Sequence, residues 1–440
     1  MSYLLFAKHR PTDALAADGR TVAELLGTAS EIGRALPSAE PDAELMVLCR
    51  DRFLFAASLV AAWEAGFAVA LPPNPQPETV RALRQRSQIR NVPHDGEGEK
   101  GLAVRPFGAT PKVDVPMPSA IDPARHLATV YTSGSTGPHK PCPKNAAQLL
   151  GEAETLVETF GLAGARVFAT VPAHHIYGLL FGVLVPSLAG GSFFSETALH
   201  AQPVANALAR GAQVLVSVPA HLAGLRVLDE ASLPALARVF SSGAPLPTAT
   251  AAMLEERFSW LTTEVLGSSE TGGIGHRFHG AAGKEPWTPF PEVRVWADES
   301  GRMLLQSPLL GPEVGLPFRG GDKIRVLPDG RFEHLGRVDG VLKMGSTRVS
   351  VAELEERLLS IDGVQDAAVI PREVGGSRGW ETWAVLVAPT LDVAAVRKAL
   401  SRWLSPVVLP RRYRFVEALP RQANGKLRRA DLRRCFEDTP

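Results

Sequence analysis

The sequence predicts an α/β protein built largely on parallel sheet, and three observations predict it. Strand-like runs such as ELMVLCR and FAVALPP alternate with an apolar-rich helical stretch, FLFAASLVAAWEAG, in the order strand, helix, strand. The strand-like runs are apolar throughout, as expected of strands covered by helices on both faces. With 440 residues the chain has room for about three domains or subdomains at roughly 150 residues each.

Each later stretch follows from its own pattern. Between residues 92 and 125 Pro, Gly and Asp become frequent, which predicts a connecting loop with one short strand. The α/β pattern then resumes, with VFATVP, GSFFS, VLVSVP and ARVFSSG as strands and 202–210, 221–228 and 249–258 as helices. The uncharged run 176–195 is long enough to raise the question of a membrane span. Pro186, Gly190 and Gly191 interrupt it and two histidines precede it, so it reads as a buried helix running into a strand. After Pro286 the strands become shorter and more polar and carry the turn pair Asp329-Gly330, which predicts a small β-rich subdomain. From Val349 a helix is marked by Val351, Leu354, Leu358 and Ile361, and VQDAAVIP and WETWAVLVAP follow as strands. The expected division is a large N-terminal domain, 1–338, of layered α/β subdomains plus the small β-rich unit, and a mobile α+β C-terminal domain, 339–440.

Composition removes several function classes. Hydrophobic residues at 45% and charged residues at 21% exclude a disordered or collagen-like chain. The 47 basic and 46 acidic residues leave +1, too little for a global field that would draw nucleic acid or an anionic membrane. An anionic ligand must therefore be held locally. Cys49, Cys142 and Cys435 form neither a CxxC pair nor a zinc pattern, and the N-terminal run lacks a secretory signal. Both point to the cytoplasm.

The most informative segment is VYTSGSTGPHK, residues 130–140. Gly134 and Gly137 remove side-chain bulk and free backbone N–H groups, Thr132, Ser133, Ser135 and Thr136 add hydroxyls, and Lys140 adds a point charge, which together suit a polyphosphate. It lacks the GxxxxGK[ST] spacing of the Walker loop, and the surroundings of Ser135 fail the GxSxG pattern of an α/β-hydrolase. Alone, the segment also fits a flexible Ser/Gly linker.

Further segments follow in order: PAHHIYG (172–178), SSGAPLP (241–247), LGSSETG (266–272), GGDKIRVLPDGRFEHLGRVDGVLK (320–343) and PRQANGKLRR (420–429). With TSGSTGxxK these resemble the motifs of the adenylate-forming superfamily: acyl- and aryl-CoA synthetases, peptide-synthetase adenylation domains and firefly-type luciferases. The six segments span about two thirds of the chain. The resemblance implies Mg·ATP, a carboxylic acid and a phosphopantetheine thiol as reactants, with an acyl-adenylate between two half-reactions. The compact, free-standing chain further resembles the small ligases of aryl polyene-type clusters, which load aryl or fatty acids onto an acyl carrier protein. The alternatives are a ligase using free CoA and a nucleotide-binding, non-catalytic regulatory protein.

Roles follow from the resemblance residue by residue. Gly243, Ala244 and Pro245 fall in the adenine-site turn, with Gly267 and Ser269 in the next nucleotide-binding segment. Glu270 is the candidate Mg²⁺ ligand, since that ion favours carboxylate, water and phosphate oxygens; without the flanking motifs it reads as a helix-start carboxylate. Asp322 matches the ribose-binding aspartate, and alone reads as a turn residue. Arg337 matches the arginine for ribose and phosphate. Asp339 matches the hinge about which the C-terminal domain turns, and Lys426 the cation bridging the acid and the α-phosphate during adenylation. Without the motif Lys426 is one more cation in a basic tail. His175 matches the histidine near the carboxylate and thiol channel, with a packed core histidine as the lesser alternative. His174, Gly178, Ala244, Gly267 and Gly273 are expected around the acid.

Departures are visible as well. Leu266 replaces the tyrosine that stacks on adenine, and Pro138-His139-Lys140-Pro141 replaces the usual exit from the loop. Ser346 stands where glycine is expected near the thiol channel.

Overall fold

The computed structural model describes residues 2–40, 42–73, 75, 77–86, 89, 93–96, 101–105, 116–132, 140–198, 200–229, 233–234, 236–311, 314–337, 341–344, 347–375, 379–402, 404, 406, 408–422 and 426–437. Its first sheet has the order Glu44–Met46, Ala68–Leu71, His126–Thr132, Lys140–Asn145. The first two pairings are parallel and the last is antiparallel. Helix Val22–Ala35 starts at a capping box in which Thr21 and Glu24 satisfy each other's backbone N–H. Helix Arg52–Glu64 is buried along its whole length up to Trp63, which explains why its sequence shows no polar face.

The second sheet runs Gly283–Lys284, Gly272–Gly280, Thr262–Ser268, Arg238–Ser241, Val214–Ser217, Arg166–Ala169, Ser192–Phe193. From Thr262–Ser268 onward all pairings are parallel, and Gly272–Gly280 turns back antiparallel. Alternation along these strands serves two cores. Val167, Val214 and Phe240 join a cluster that also holds Leu45, Val69 and Val130 of the first sheet and the Ala146–Phe160 helix. Phe168, Leu215 and Val239 face the other way, against helices Ala201–Ala209 and Thr248–Phe258. The layered α/β expectation holds, with antiparallel strands confined to the sheet margins.

Run 176–195 is a buried helix leading into a strand, as Pro186, Gly190 and Gly191 predict. It begins as α-helix Ile176–Leu179, widens to a π-helical stretch Leu180–Leu184, resumes as Val185–Ala189 and ends at Gly190 with φ +72°. Among the described residues no helix is long and apolar enough to cross a membrane. Among the described residues the loop region holds two two-residue strands, Pro93–His94 and Leu102–Ala103, one more than expected. They pair with each other, and the Leu48 N–H also donates to the Pro93 carbonyl, contacts that no pattern in so short a run could reveal.

The β-rich unit is the antiparallel sheet Arg294–Ala297, Arg302–Gln306, Phe318–Val326, Phe332–Arg337. Its last hairpin turns at Asp329-Gly330, where Gly330 has φ +84°. In the C-terminal part, strands Asp366–Gly375 and Gly379–Val387 form the central antiparallel pair, and Arg412–Phe415 lies parallel to the second. Leu354 and Leu358 of helix Val351–Leu359 are fully buried on this sheet, each worth about 1.5–3 kcal/mol of burial. Two core clusters there consist only of residues beyond 350.

Candidate active site

The parallel strands place the motif residues at one edge. The carboxyl ends of Arg166–Ala169, Val214–Ser217, Arg238–Ser241 and Thr262–Ser268 lead respectively to His174 and His175, to Pro219, to the Gly243–Pro245 turn and to Ser269 and Glu270. This is the edge of an open parallel sheet where ligands bind. From the first sheet, strand His126–Thr132 leads to the candidate phosphate loop and Lys140–Asn145 leads away from it. Buried Glu44 steadies the incoming strand by accepting hydrogen bonds from Thr129 and Tyr131. Thr132 and Lys140 face each other in the ladder. Ser133, Gly134, Ser135, Thr136 and Gly137 lie outside the described residues, and Thr132 and Lys140 are placed by their backbone alone.

His174 and His175 pair ring to ring, with centroids 4.4 Å apart. The Nε2 of each is buried and finds no hydrogen-bond partner among the described residues. Burial pushes the His174 imidazole down to about 4. Burial, then His174, then the charge of Lys426 hold His175 well below the usual imidazole range. Both rings are thus neutral at pH 7, with an unspent donor or acceptor. Gly178 follows on the first helical turn, where a Cβ would meet the Pro172 carbonyl oxygen at 2.2 Å. Glycine is required for the chain to fold back over the histidine loop.

The Gly243–Pro245 turn is fixed from below. Gly243 takes φ +85°, and the Ser242 hydroxyl donates to the Val265 carbonyl at 2.8 Å. Buried Glu264 accepts the Leu246 N–H at 3.1 Å and also pairs with Arg277 at 2.6 Å and His279 at 3.0 Å. Burial alone would push this carboxyl up; the His279 hydrogen bond, Arg277 and the Leu246 N–H outweigh it and hold the carboxyl below its usual range.

Ser269 and Glu270 occupy a turn closed by reciprocal bonds between Ser268 and Thr271, each hydroxyl accepting the other's backbone N–H at 3.2 Å. Gly267 lets the two strands close, since a Cβ there would sit 2.6 Å from the Gly272 carbonyl oxygen. Glu270 is half-buried. No cluster of three or more His, Cys, Asp or Glu exists among the described residues. A single carboxylate suits Mg²⁺ held mainly by water and triphosphate oxygens and does not suit an all-protein metal cage.

Asp322 lies on the β-rich sheet, directly across the ladder from Arg337, and its carboxylate meets His334 Nε2 at 3.1 Å. Arg337 is placed by its backbone alone, and the hinge candidate Asp339 is outside the described residues. Lys426 is exposed; its carbonyl accepts the Gln422 N–H at 2.9 Å, while neighbouring Arg421 pairs with both oxygens of Asp366. The charge of Lys426 is felt at His175. Lys284 and Glu356, 3.6 Å apart, tie the same two parts of the chain together.

Sequence reasoning missed Glu264, Arg277 and His279, and also buried Lys144 and Glu152. The only signal for the last two was the capping box Asn145-x-x-Gln148, which fixes the start of helix Ala146–Phe160 between them.

Comparison with known proteins agrees with this geometry. The AMP-binding enzyme family matches residues 6–304, and the AMP-binding enzyme C-terminal domain matches residues 353–426. A 4-coumarate–CoA ligase of Rhodobacter capsulatus is 34% identical over 68% of this chain and 74% of its own length. An L-proline–[L-prolyl-carrier protein] ligase of Pseudomonas fluorescens is 34% identical over 36% of this chain and 33% of its own. ATP-bound MatB from Rhodopseudomonas palustris shares the fold with a TM-score of 0.77 at 20% identity, over 96% of this chain and 95% of that one.

Proposed function

The chain belongs to the AMP-binding enzymes and is an AMP-forming acid–thiol ligase; from that premise we propose that it activates an aryl or fatty acid and delivers it to the phosphopantetheine arm of an acyl carrier protein. One observation carries the adenylation reading. Two neutral imidazoles with buried, unspent Nε2 atoms stand at the strand ends, and the charge of Lys426, from the C-terminal part of the chain, acts on His175.

A carboxylate oxygen attacks the α-phosphorus of ATP, forming the acyl–phosphate anhydride while the bond to pyrophosphate breaks. Anion approaches anion, so positioned cations are needed where charge develops. Lys426 supplies one, and His175 orients the carboxylate without adding a charge. Glu270 would hold Mg²⁺, which neutralises phosphate charge when bound. The Gly243–Pro245 turn, Gly267 and Ser269 bind the adenine end, Asp322 and Arg337 the ribose, and residues 132–137 with Lys140 the phosphates. In the second half-reaction the thiol attacks the acyl carbon, AMP leaves and the thiol proton passes to solvent. A domain boundary at residues 338–339, with Asp339 as hinge, would let Lys426 withdraw between the steps.

An aryl acid is supported by the similarity to a 4-coumarate–CoA ligase. The carrier-protein acceptor is supported by an exposed basic face. Arg372 and Arg412 lie over the Trp383 ring at 4.8 and 4.7 Å, and Arg411, Arg428, Arg429 and Arg433 are exposed nearby in sequence. Free CoA is the second reading, favoured by the relatives named as CoA ligases.

Pyrophosphate exchange against a panel of aromatic and aliphatic acids tests the activation step; absence of acid-dependent exchange contradicts it. For the acceptor, holo carrier protein should show the higher kcat/KM, falling steeply with salt, and charge reversal at Arg411 and Arg412 should lower transfer without changing exchange. Faster transfer to free CoA, untouched by the reversals, moves the assignment to a CoA ligase.

A further inference from the structure

We infer that Lys144 and Glu152 form a clamp that ties the Glu270 turn to the segment leaving the phosphate loop, making both positioning residues for the nucleotide. The inference rests on the reading of Glu270 and residues 132–140 as the Mg·ATP site.

The turn is held at Glu270 and again in the strand that follows it. The Lys144 ammonium donates to the Glu270 carbonyl oxygen at 3.3 Å and to the Leu309 carbonyl oxygen at 3.1 Å. Three residues past Glu270, the Gly273 N–H donates to the Glu152 carboxylate at 2.7 Å. Lys144 and Glu152 are buried, at 3% and 7% exposure, and attract each other electrostatically. A Cβ on Gly272 or Gly273 would come within 2.9 or 3.1 Å of the Glu152 carboxylate, so only glycine admits so close an approach. The small cavity beside Glu152, Gly273 and Phe290 has a volume of about 30 Å³, room for one or two waters and not for a substrate.

The other side of the clamp is equally firm. Lys144 lies on strand Lys140–Asn145, whose first residue closes the phosphate loop, and Glu152 lies two turns into helix Ala146–Phe160. Asn145 and Gln148 cap that helix reciprocally at 2.9 Å, and Gln148 also donates to the Leu309 carbonyl at 3.3 Å. Strand, cap and helix start therefore form one rigid piece. Burying a lysine and a carboxylate is costly unless their bonds are used, and here they fix the backbone at the candidate metal ligand and three residues beyond it. A shift of the segment behind the phosphates is passed to Glu270, and a shift of Glu270 is passed back.

The test compares wild type with Lys144→Met, Lys144→Arg and Glu152→Gln, using calorimetric titration of the full chain with α,β-methylene-ATP, with Mg²⁺ and with EDTA. The expected result is about tenfold weaker binding of the Mg²⁺ complex by Lys144→Met, with metal-free binding and the KM for the acid little changed, and rescue by Lys144→Arg. Glu152→Gln keeps the volume and should weaken the Mg²⁺ complex about threefold, deciding the matter if Lys144→Met does not fold. Equal weakening with and without Mg²⁺ would show a merely structural role and overturn the clamp, as would no change in either variant. Wild type that fails to bind the analogue, or binds it without regard to Mg²⁺, would instead overturn the nucleotide-site reading beneath it.

Discussion

The Gly243–Pro245 turn and Lys426 are both assigned to adenylation, yet the two regions around them are built in opposite ways. The turn rests on Glu264, a buried carboxylate that accepts from Leu246, Arg277 and His279 within the core of the second sheet. Lys426 stands exposed, beside the Arg421–Leu427 bridge and an ion pair between Arg421 and Asp366 whose side chains are 24% and 27% exposed. Burial with complete hydrogen bonding makes a rigid cradle, because every alternative position strands a charge. The Gly243–Pro245 turn is therefore held rigidly, whereas Lys426 sits on the open surface. In the proposed reading the first is a preformed nucleotide cradle and the second a cation that serves one step and withdraws before the next.

If the cradle is rigid for that reason, Glu264→Ala should be the most damaging change. It strands Arg277 and His279 in the core and should cost about 3–5 kcal/mol, read as a lower Tm and denaturation midpoint. A loss below about 1 kcal/mol would show that the cluster does not hold the turn.

Lys426→Ala should leave stability unchanged and slow pyrophosphate exchange roughly a hundred- to thousandfold, or about 3–4 kcal/mol. Thiol transfer from a supplied acyl-adenylate should persist. Equal loss in both half-reactions would erase the contrast between fixed cradle and delivered cation.

Acidity offers a gentler probe of the C-terminal part. Burial pushes the Glu355 carboxyl up to about 7, against the Val369 N–H that it accepts at 2.9 Å. The folded chain therefore holds this proton more tightly than the unfolded chain, and stability falls as pH rises from about 4.5 to 7. Glu355→Gln should flatten that part of the stability profile by about 1–2 kcal/mol, whereas an unchanged slope would mean the carboxyl is ionised throughout. Smallest of all, Arg421→Ala should lower stability by about 0.2–1 kcal/mol, since its pair with Asp366 is partly open to water. A loss of several kcal/mol would show the Lys426 support to be as rigid as the cradle.

The parallel strands and the buried run 176–195 were legible because each depends on a local pattern of apolar and turn residues, whereas His175, Gly243 and Glu270 were singled out only by the resemblance of their motifs. The supports were not. Glu264 and Arg277 face each other across the Thr262–Ser268 and Gly272–Gly280 hairpin, and only the register brings them together. Lys144 reaches Glu270 over 126 residues and Glu152 reaches Gly273 over 121, separations that no local pattern encodes. Strand Arg412–Phe415 and helix Arg429–Arg434 also went unread, because two short, arginine-rich segments look like a solvated tail until the Gly379–Val387 strand and the buried Leu432 are seen beside them. The capping box at Thr21 and Glu24 was readable in the sequence and would have marked helix Val22–Ala35.

The most direct measurement follows oxygen. An accepted acid labelled with ¹⁸O in both carboxyl positions is turned over with ATP, Mg²⁺ and the thiol acceptor, and the nucleotide product is read by mass spectrometry. Attack of the carboxylate on the α-phosphorus, followed by thiol displacement at the acyl carbon, predicts AMP carrying one ¹⁸O per thioester formed. ADP as the nucleotide product, or AMP without the label, would contradict an acyl-adenylate formed in this site.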